Sequence, residues 1–170
     1  MARTKYEEIQ DAIREYGQAA FQNLLRCKAL GEAVIEGLHN YLGCDQRNVS
    51  AVPPEGPFDS RRNYGEEAFS FHNRQVIILE PVRFGISVIV GNAEDSGALW
   101  LRTLVSAEVA GDAFEVYVGA QPVIHTPLDF EGSLDPIFEA IVQEFLDTFE
   151  VDVMEFNDVR FKSKIGFMPN

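Results

Sequence analysis

Apolar residues recur at three- and four-residue steps over two long segments of the chain, which is the pattern of an amphipathic helix. The first segment runs from Thr4 to Leu42. Thr4 and Glu7 form a capping box at its start, and Gly43 suits the left-handed residue just past its end. Its apolar stripe consists of Tyr6, Ile9, Ile13, Tyr16, Ala20, Leu24, Cys27, Leu30, Val34, Leu38 and Tyr41.

This first helix is long for the size of the chain. It would reach roughly 55 Å at 1.5 Å per residue, whereas a compact domain of 170 residues is only about 40 Å across. We therefore expect the helix to break near Gly31. The alternative is an unbroken helix that overhangs the domain, which would favour a homodimer formed through its apolar stripe.

The second helical segment covers residues 133–150. Ser133 is a suitable N-cap, and Asp135 and Pro136 fit the first turn. The predicted core face carries Ile137, Phe138, Ile141, Val142, Phe145, Leu146 and Phe149, and the predicted solvent face carries Glu139, Gln143, Glu144, Asp147 and Glu150. The segment "VDVMEF" that follows is either a short strand or the tail of the helix.

Between the helices, the pattern changes to short alternating runs that indicate strands. Residues 43–67 form a long connection rich in proline and glycine, with a short strand expected near Val49 to Val52. Because long loops are usually functional or mobile, this connection is a candidate working surface. The predicted strands that follow are 68–71, 75–79, 83–91, 98–110 and 113–121. Their short connections favour antiparallel pairing.

These elements predict a single α+β domain over residues 1–170. An antiparallel sheet of four or five strands is expected within residues 68–126, with the N-terminal helix (or helix pair) of residues 1–42 and the C-terminal helix on one face. Residues 151–170 are interpreted as a tail.

The formal net charge of −13 is concentrated in one part of the chain. Between Thr103 and Val159 there are 13 acidic residues and no lysine or arginine, whereas the other 113 residues carry 14 acids and 14 bases. Nucleic-acid phosphates would be repelled here, so we expect no direct nucleic-acid binding through this region. A basic protein would be attracted to it.

Two interpretations of the acids on the second helix are open. They either solvate the outer face of the helix or form a binding surface for a basic partner. Solvation would be served as well by mixed glutamate and lysine, which adds about 0.2–0.5 kcal/mol per i,i+4 pair. The candidate binding residues are Glu139, Glu144, Asp147, Glu150, Asp152 and Glu155.

The sequence contains no recognisable catalytic or metal-binding signature. The histidines lack HExxH spacing, Ser87 lacks a GxSxG elbow, and no glycine-rich phosphate loop occurs. Cys27 and Cys44 are expected to be free thiols. This favours a non-enzymatic protein without metal or cofactor.

A second cluster of side chains offers an alternative ligand site. It consists of Arg61, Arg62, Tyr64, His72, Arg74 and His125. These residues could bind an anionic small molecule in a pocket between sheet and helices, with the loop from Arg61 to Arg74 as a lid. Alternatively, the bases only balance the acidic region of the same molecule.

The function expected from these features is that of an acidic protein-binding module of the inhibitor, chaperone or adaptor type. The alternative is a small-molecule-binding protein or enzyme. The first residues hold no apolar signal segment, and no apolar run approaches the roughly 18 residues of a membrane span. We therefore expect a cytoplasmic location and no membrane partner.

Overall fold

The computed structural model describes residues 2–91, 98–155 and 165–168, with side chains described for 2–91 and 98–150. Two helices and six strands are present in these ranges, together with 3-10 turns at Gln46–Asn48 and Gly65–Ala68. In chain order they are α1 (Lys5–Leu42), β1 (Val49–Val52), β2 (Val82–Gly91), β3 (Ala98–Ala110), β4 (Ala113–Val118), β5 (Ile124–Pro127), α2 (Asp135–Glu155) and β6 (Ile165–Met168).

The strands form one antiparallel sheet in the order β1-β2-β3-β4-β5, and both helices cover the same face. The predicted α+β class and antiparallel pairing are thereby confirmed. β6 adds a strand on β3, with Leu101 opposite Ile165 and Ala98 opposite Met168. This segment was predicted to belong to the tail, and its pairing with β3 was not predicted.

The first helix is continuous, and the predicted break at Gly31 is wrong. A Cβ at Gly31 would lie 2.9 Å from the Phe69 ring and 3.0 Å from the Phe84 ring. Position 31 therefore requires a glycine, because two phenylalanine rings pack directly against the helix backbone there. The predicted ends are confirmed: the Thr4 hydroxyl accepts from the Glu7 amide at 3.1 Å, and Gly43 has φ 74°.

Only the second part of α1 packs on the sheet. Burial begins at Ala20 and continues through Asn23, Cys27, Leu30, Val34 and Leu38. Asn23 anchors α1 near the position where the helix begins to pack on the sheet. Its side chain donates to the carbonyl of Glu80 at 3.0 Å and accepts from the amide of Val109 at 3.0 Å. Residues 5–19, which we call the N-terminal arm, lie exposed apart from the half-buried Asp11.

The core lies between the helices and one face of the sheet. Along β3, Leu101, Thr103, Val105 and Ala107 are buried while the residues between them are partly exposed. The long connection covers part of the opposite face. Phe58 packs edge-on against Trp100 with ring centroids 4.7 Å apart, and the Arg102 guanidinium donates to the carbonyl of Gly56 at 2.8 Å.

Helix α2 buries a face rotated from the predicted one. Ile137, Phe138, Ile141 and Phe145 are buried as expected, and Glu144 and Thr148 join them. Leu146 is 57% exposed and Phe149 38% exposed, so their assignment to the core was wrong. The helix runs on through residues 151–155, which identifies that segment as its continuation.

Two predicted strands did not form. Phe69 makes one isolated bridge to Phe84, and residues 75–79 pair with no strand among the described residues. Val76, Ile77, Ile78 and Leu79 remain 41–68% exposed. The short strand expected near Val49 to Val52 is confirmed as β1.

Both cysteines are free thiols, as expected. Cys27 is buried and Cys44 is half-buried. Burial, and secondarily the charge of Glu108, raises the pKa of Cys27 to about 12, so this thiol remains protonated at neutral pH.

Candidate acidic binding surface

The ion pairs that join two described side chains lie within residues 2–91, which we call the ion-paired region. They connect neighbouring helix residues, the long connection and β2. The pairs are Arg3–Asp11, Lys5–Glu8, Arg14–Asp11, Lys28–Glu32, Lys28–Glu66, Arg47–Asp45, Arg62–Glu67, Arg74–Glu80 and Arg83–Glu55. The bases of this region therefore neutralise acids of the same region.

Residues 104–150, which we call the acidic region, are organised differently. They hold ten acids and no lysine or arginine. Nine of these acids have no described lysine or arginine nitrogen within 4.0 Å: Glu108, Asp112, Glu115, Asp129, Glu131, Asp135, Glu139, Asp147 and Glu150. Glu139, Asp147 and Glu150 of this set lie on α2, while Glu108 and Glu115 lie on β3 and β4, against which α2 packs.

Neutral donors hold several of these carboxylates. Asp147 accepts from the Gln121 side chain at 2.8 Å and from the Gln143 side chain at 2.7 Å. These two hydrogen bonds, that from Gln121 first, hold the pKa of Asp147 below its usual range. The carboxylate is thus fixed in position and kept ionised without its charge being cancelled.

Glu139 has a comparable neutral partner at the end of α1. The Tyr41 hydroxyl donates to Glu139 at 2.9 Å, and this hydrogen bond raises the pKa of Tyr41. Since a phenol brings no charge, this hydrogen bond positions Glu139 on the exposed side of α2 without supplying a counter-charge.

Glu144 does not lie on the solvent face where the sequence placed it. Its side chain is only 4% exposed and accepts from the Ala120 amide at 3.3 Å and from Gln121 at 2.9 Å. Gly119 stands so close that a Cβ there would overlap the Glu144 carboxyl group. Glu144 therefore docks α2 against the turn after β4. Its spacing of three residues from Ile141 was the signal that it shares the buried face.

The sheet adds acids that the candidate list did not contain. Glu108 and Glu115 are directly opposite each other on β3 and β4, and Glu115 is opposite His125 on β5. The charge of Glu115 raises the pKa of the neighbouring Tyr117. Like charges placed directly opposite destabilise a sheet. The alternation of Glu115 and Tyr117 with buried Phe114, Val116 and Val118 indicated this outward orientation.

The remaining candidate acids are spread along α2. Glu150 is exposed and Asp147 is half-buried. Asp152 and Glu155 belong to the last turns of α2, and their side chains lie outside the described residues.

The alternative ligand residues are divided between separate places. Arg61 and Arg62 line a cleft of about 750 Å³ between α1 and the long connection. Arg62 lies over the Tyr64 ring at 4.6 Å and pairs with Glu67. Arg47 also lines the cleft, but so do Glu32, Glu36 and Glu66, so its lining carries as many acids as bases.

His72, Arg74 and His125 do not join this cleft. His72 and Arg74 belong to the turn after Phe69, where Arg74 pairs with Glu80. A cavity of about 10 Å³ beside Arg74 has room for about one water molecule. His125 lies on β5, at the opposite end of the strand order from β1, which is roughly 19 Å away at about 4.8 Å per strand.

A further concavity between sheet and helices is apolar. It has a volume of about 400 Å³ and is lined by the end of α1, the end of β2 and one side of α2, including Val90, Leu146 and Phe149. No histidine or arginine is among its described lining residues. It therefore does not coincide with the expected anion site.

We also searched the described residues for a metal site and for a membrane-spanning helix. In the described parts of the chain, no group of three or more histidine, cysteine, aspartate or glutamate side chains is arranged to hold a metal ion. None of the helices in those parts combines the length and apolarity needed to cross a bilayer.

No family model, curated protein or solved structure matches the chain.

Proposed function

We propose that this protein is a non-enzymatic binding module that engages a basic protein partner through its acidic region. The binding face is centred on Glu139, Asp147 and Glu150, and extends toward Asp152 and Glu155. One observation carries the proposal: the Glu139 and Asp147 carboxylates are oriented by neutral donors, while every described ion pair lies in residues 2–91. This favours a charged binding surface over simple solvation of a helix.

Electrostatics defines the kind of partner. A cluster of one sign raises the local concentration of oppositely charged molecules and accelerates association by about 10- to 1,000-fold. A lysine- or arginine-rich protein surface would supply the missing counter-charges, whereas nucleic-acid phosphates would add to the repulsion. Such a module would act by masking, delivering or inhibiting its basic partner.

Preorganisation supports affinity at the same face. Holding a rotamer-rich side chain on binding costs about 0.5–1.5 kcal/mol. Asp147 already has both carboxylate oxygens engaged by amides, and Tyr41 positions Glu139. A basic partner therefore meets carboxylates whose rotamers are partly fixed beforehand.

The test is salt-graded affinity capture with two variants that change net charge equally. The first combines Glu139→Lys, Asp147→Asn and Glu150→Lys on the acidic face. The second, the matched control, combines Glu32→Lys, Glu36→Lys and Asp59→Asn in the ion-paired region. We expect wild type and control to retain the same basic protein at low salt and to release it as salt rises.

The acidic-face variant should lose this protein, with an association rate at least about tenfold slower. Unchanged capture by that variant would refute the proposal. Equal loss in both variants would refute it too, since only overall charge would then matter.

The 750 Å³ cleft supports a second candidate, the binding of a small molecule. Because its lining acids and bases are equal in number, a zwitterionic or polar ligand fits it better than a simple anion. Native mass spectrometry of protein purified at low salt would reveal a retained metabolite. Its loss on Arg61→Ala, with the basic protein still bound, would assign it to the cleft.

Self-association through the N-terminal helix is compatible with either role. The exposed arm lies outside the acidic region, so a dimer could leave that face free.

A further inference from the structure

The N-terminal arm presents an apolar stripe that nothing in the described molecule covers. Tyr6 is 70% exposed, Ile9 58%, Ile13 65% and Tyr16 47%. The same stripe becomes core from Ala20 onward, where it packs on the sheet. A helix of 15 residues, roughly 22 Å long, therefore extends from the domain with its apolar face in solvent.

The stripe is arranged for pairing with another helix. Tyr6, Ile9, Ile13 and Tyr16 alternate at three- and four-residue steps, as the contacting positions of a coiled coil do. The flanking positions carry Lys5 at the start of the helix and then Gln10, Ala12, Gly17 and Ala19, which are uncharged. The acids and bases from Glu7 to Glu15 lie on the outer positions of the helix instead.

Gly17 gives an independent indication of close contact. Glycine inside a helix is unfavourable relative to alanine, and the room that it leaves for a close neighbour is one packing reason for its presence. Gly31 and Gly37 have one, because a Cβ at either would lie 2.9 Å from a phenylalanine ring. A Cβ at Gly17 would meet no atom of the described residues within 4 Å. The small residue there leaves room for a neighbour from outside the chain.

The apolar surface continues from the arm onto residues 76–79. The Leu79 amide donates to the Tyr16 hydroxyl at 2.8 Å, which places this segment beside the last exposed residue of the stripe. Val76 is 68% exposed and Leu79 52%. Arm and segment together form one patch that reaches from the free end of the helix to the domain.

We propose that this patch is occupied by a second copy of the chain, with the two arms packed antiparallel. About a two-fold axis near residue 11, Ile9 of each arm meets Ile13 of the other. Tyr6 of each arm meets Tyr16 and the adjoining residues 76–79. The patch is thus complementary to itself, as an isologous interface requires.

The area and the charges favour this occupant. Taking about 150–200 Å² for a fully exposed large apolar side chain, the eight residues of the patch expose roughly 800 Å² per copy, close to each partner's share of a standard-size interface. Residues 2–20 carry three bases and four acids, so the arms repel each other little. Antiparallel arms also hold the acidic regions of the two copies at opposite ends of the dimer. Parallel arms would bring these regions side by side, where their like charges repel.

The first test is the oligomeric state in solution, with two single-charge variants of the arm. Ile13→Glu places a carboxylate in the middle of the stripe, and Gln18→Glu places one on the outer face. Both residues are exposed in the monomer, so neither change should unfold it. By sedimentation velocity we expect wild type and Gln18→Glu at twice the chain mass of 19.0 kDa and Ile13→Glu at that mass itself.

Burying the new charge should weaken the dimer by about 100-fold or more in dissociation constant. A wild-type protein that stays monomeric at up to about 100 μM would overturn the proposal, because its dimer would then have a dissociation constant above that of a specific complex. A dimer that survives Ile13→Glu would overturn it as well.

Spin labels attached through Gln22→Cys, at an exposed position, test the orientation in a background carrying Cys44→Ser. About the two-fold axis near residue 11, antiparallel arms separate the two labels by about 33 Å along the helix direction, whereas parallel arms leave only the lateral separation of two outward-facing positions, roughly 20 Å plus the label lengths. A distance in the shorter range would contradict the antiparallel arrangement. Binding of the basic partner by the acidic face is measured separately, so either proposal can fail while the other stands.

Discussion

Residues 2–91 and residues 104–150 place their carboxylates in different surroundings. In the ion-paired region, Glu66, Glu67 and Glu80 each have a lysine or arginine partner. In the acidic region, Glu139 and Asp147 accept hydrogen bonds from a phenol and two amides. A carboxylate can therefore have a hydrogen-bond partner without having a counter-charge. Glu139 and Asp147 have the first and lack the second among the described residues, so a basic protein partner could supply the counter-charge.

The largest effect expected within this comparison concerns Glu144, the one carboxylate that is buried among the residues with described side chains. Glu144→Ala removes the acceptor of the Ala120 amide and Gln121. It should lower the free energy of unfolding by about 2–3 kcal/mol. Glu139→Ala, at an exposed position of the same helix, should change it by about 0.5 kcal/mol or less. Urea unfolding midpoints measure both, and equal losses would show that Glu144 does not anchor α2.

A smaller effect is expected where acids face each other on the sheet. Glu115→Gln removes the repulsion between Glu108 and Glu115 and should stabilise the fold by about 0.2–1 kcal/mol. Glu67→Gln removes an exposed carboxylate that pairs with Arg62, so it should be neutral or destabilising by up to about 0.5 kcal/mol. Thermal unfolding at low salt compares the two. A loss of stability in Glu115→Gln would contradict uncompensated repulsion in the acidic region.

The smallest expected effect is a difference in how salt changes two carboxyl pKa values, one shifted by neutral amides and one by a lysine. The pKa of Asp147 is lowered by amide hydrogen bonds, and that of Glu66 by the hydrogen bond and charge of Lys28. In about 1 M salt the Glu66 shift should shrink while the Asp147 shift persists, because salt screens charges at exposed sites. Carboxyl-carbon resonances followed through a pH titration report both values.

The same Asp147 shift gives a pH dependence of stability. Its folded pKa lies below the unfolded value of about 3.9. The stabilisation is therefore present above that pH and is lost as the pH falls through the folded pKa. Asp147→Asn should make the acid side of the stability profile shallower than in wild type. An unchanged acid side would show that the two amides do not stabilise the ionised form.

Local rules predicted much of the fold. The capping box at Thr4, the left-handed Gly43 and the antiparallel strands 82–118 all follow from residues close in sequence. The break at Gly31 was predicted wrongly because a glycine required for packing and a glycine that ends a helix look alike in sequence. Only the tertiary contact with Phe69 and Phe84 distinguishes them.

The candidate site was predictable in composition but only partly in geometry. The absence of bases between residues 104 and 150 is visible in the sequence, yet the neutral partners of Glu139 and Asp147 come from other elements. The burial of Glu144 depends on a small rotation of α2, which also exposes Leu146. The spacing of apolar residues locates the buried face of a helix to within about one residue. In α2 an offset of that size determines that Glu144, and not another carboxylate, is buried.

The most direct test of the charge distribution is a measurement of the near-surface electrostatic potential. Paramagnetic relaxation enhancements from a cationic and an anionic nitroxide give this potential at individual backbone protons. We expect strongly negative values along β4, β5 and residues 135–150 of α2, and values near zero over residues 20–91. Equal potentials over the two regions would contradict the acidic binding face on which the proposed function rests.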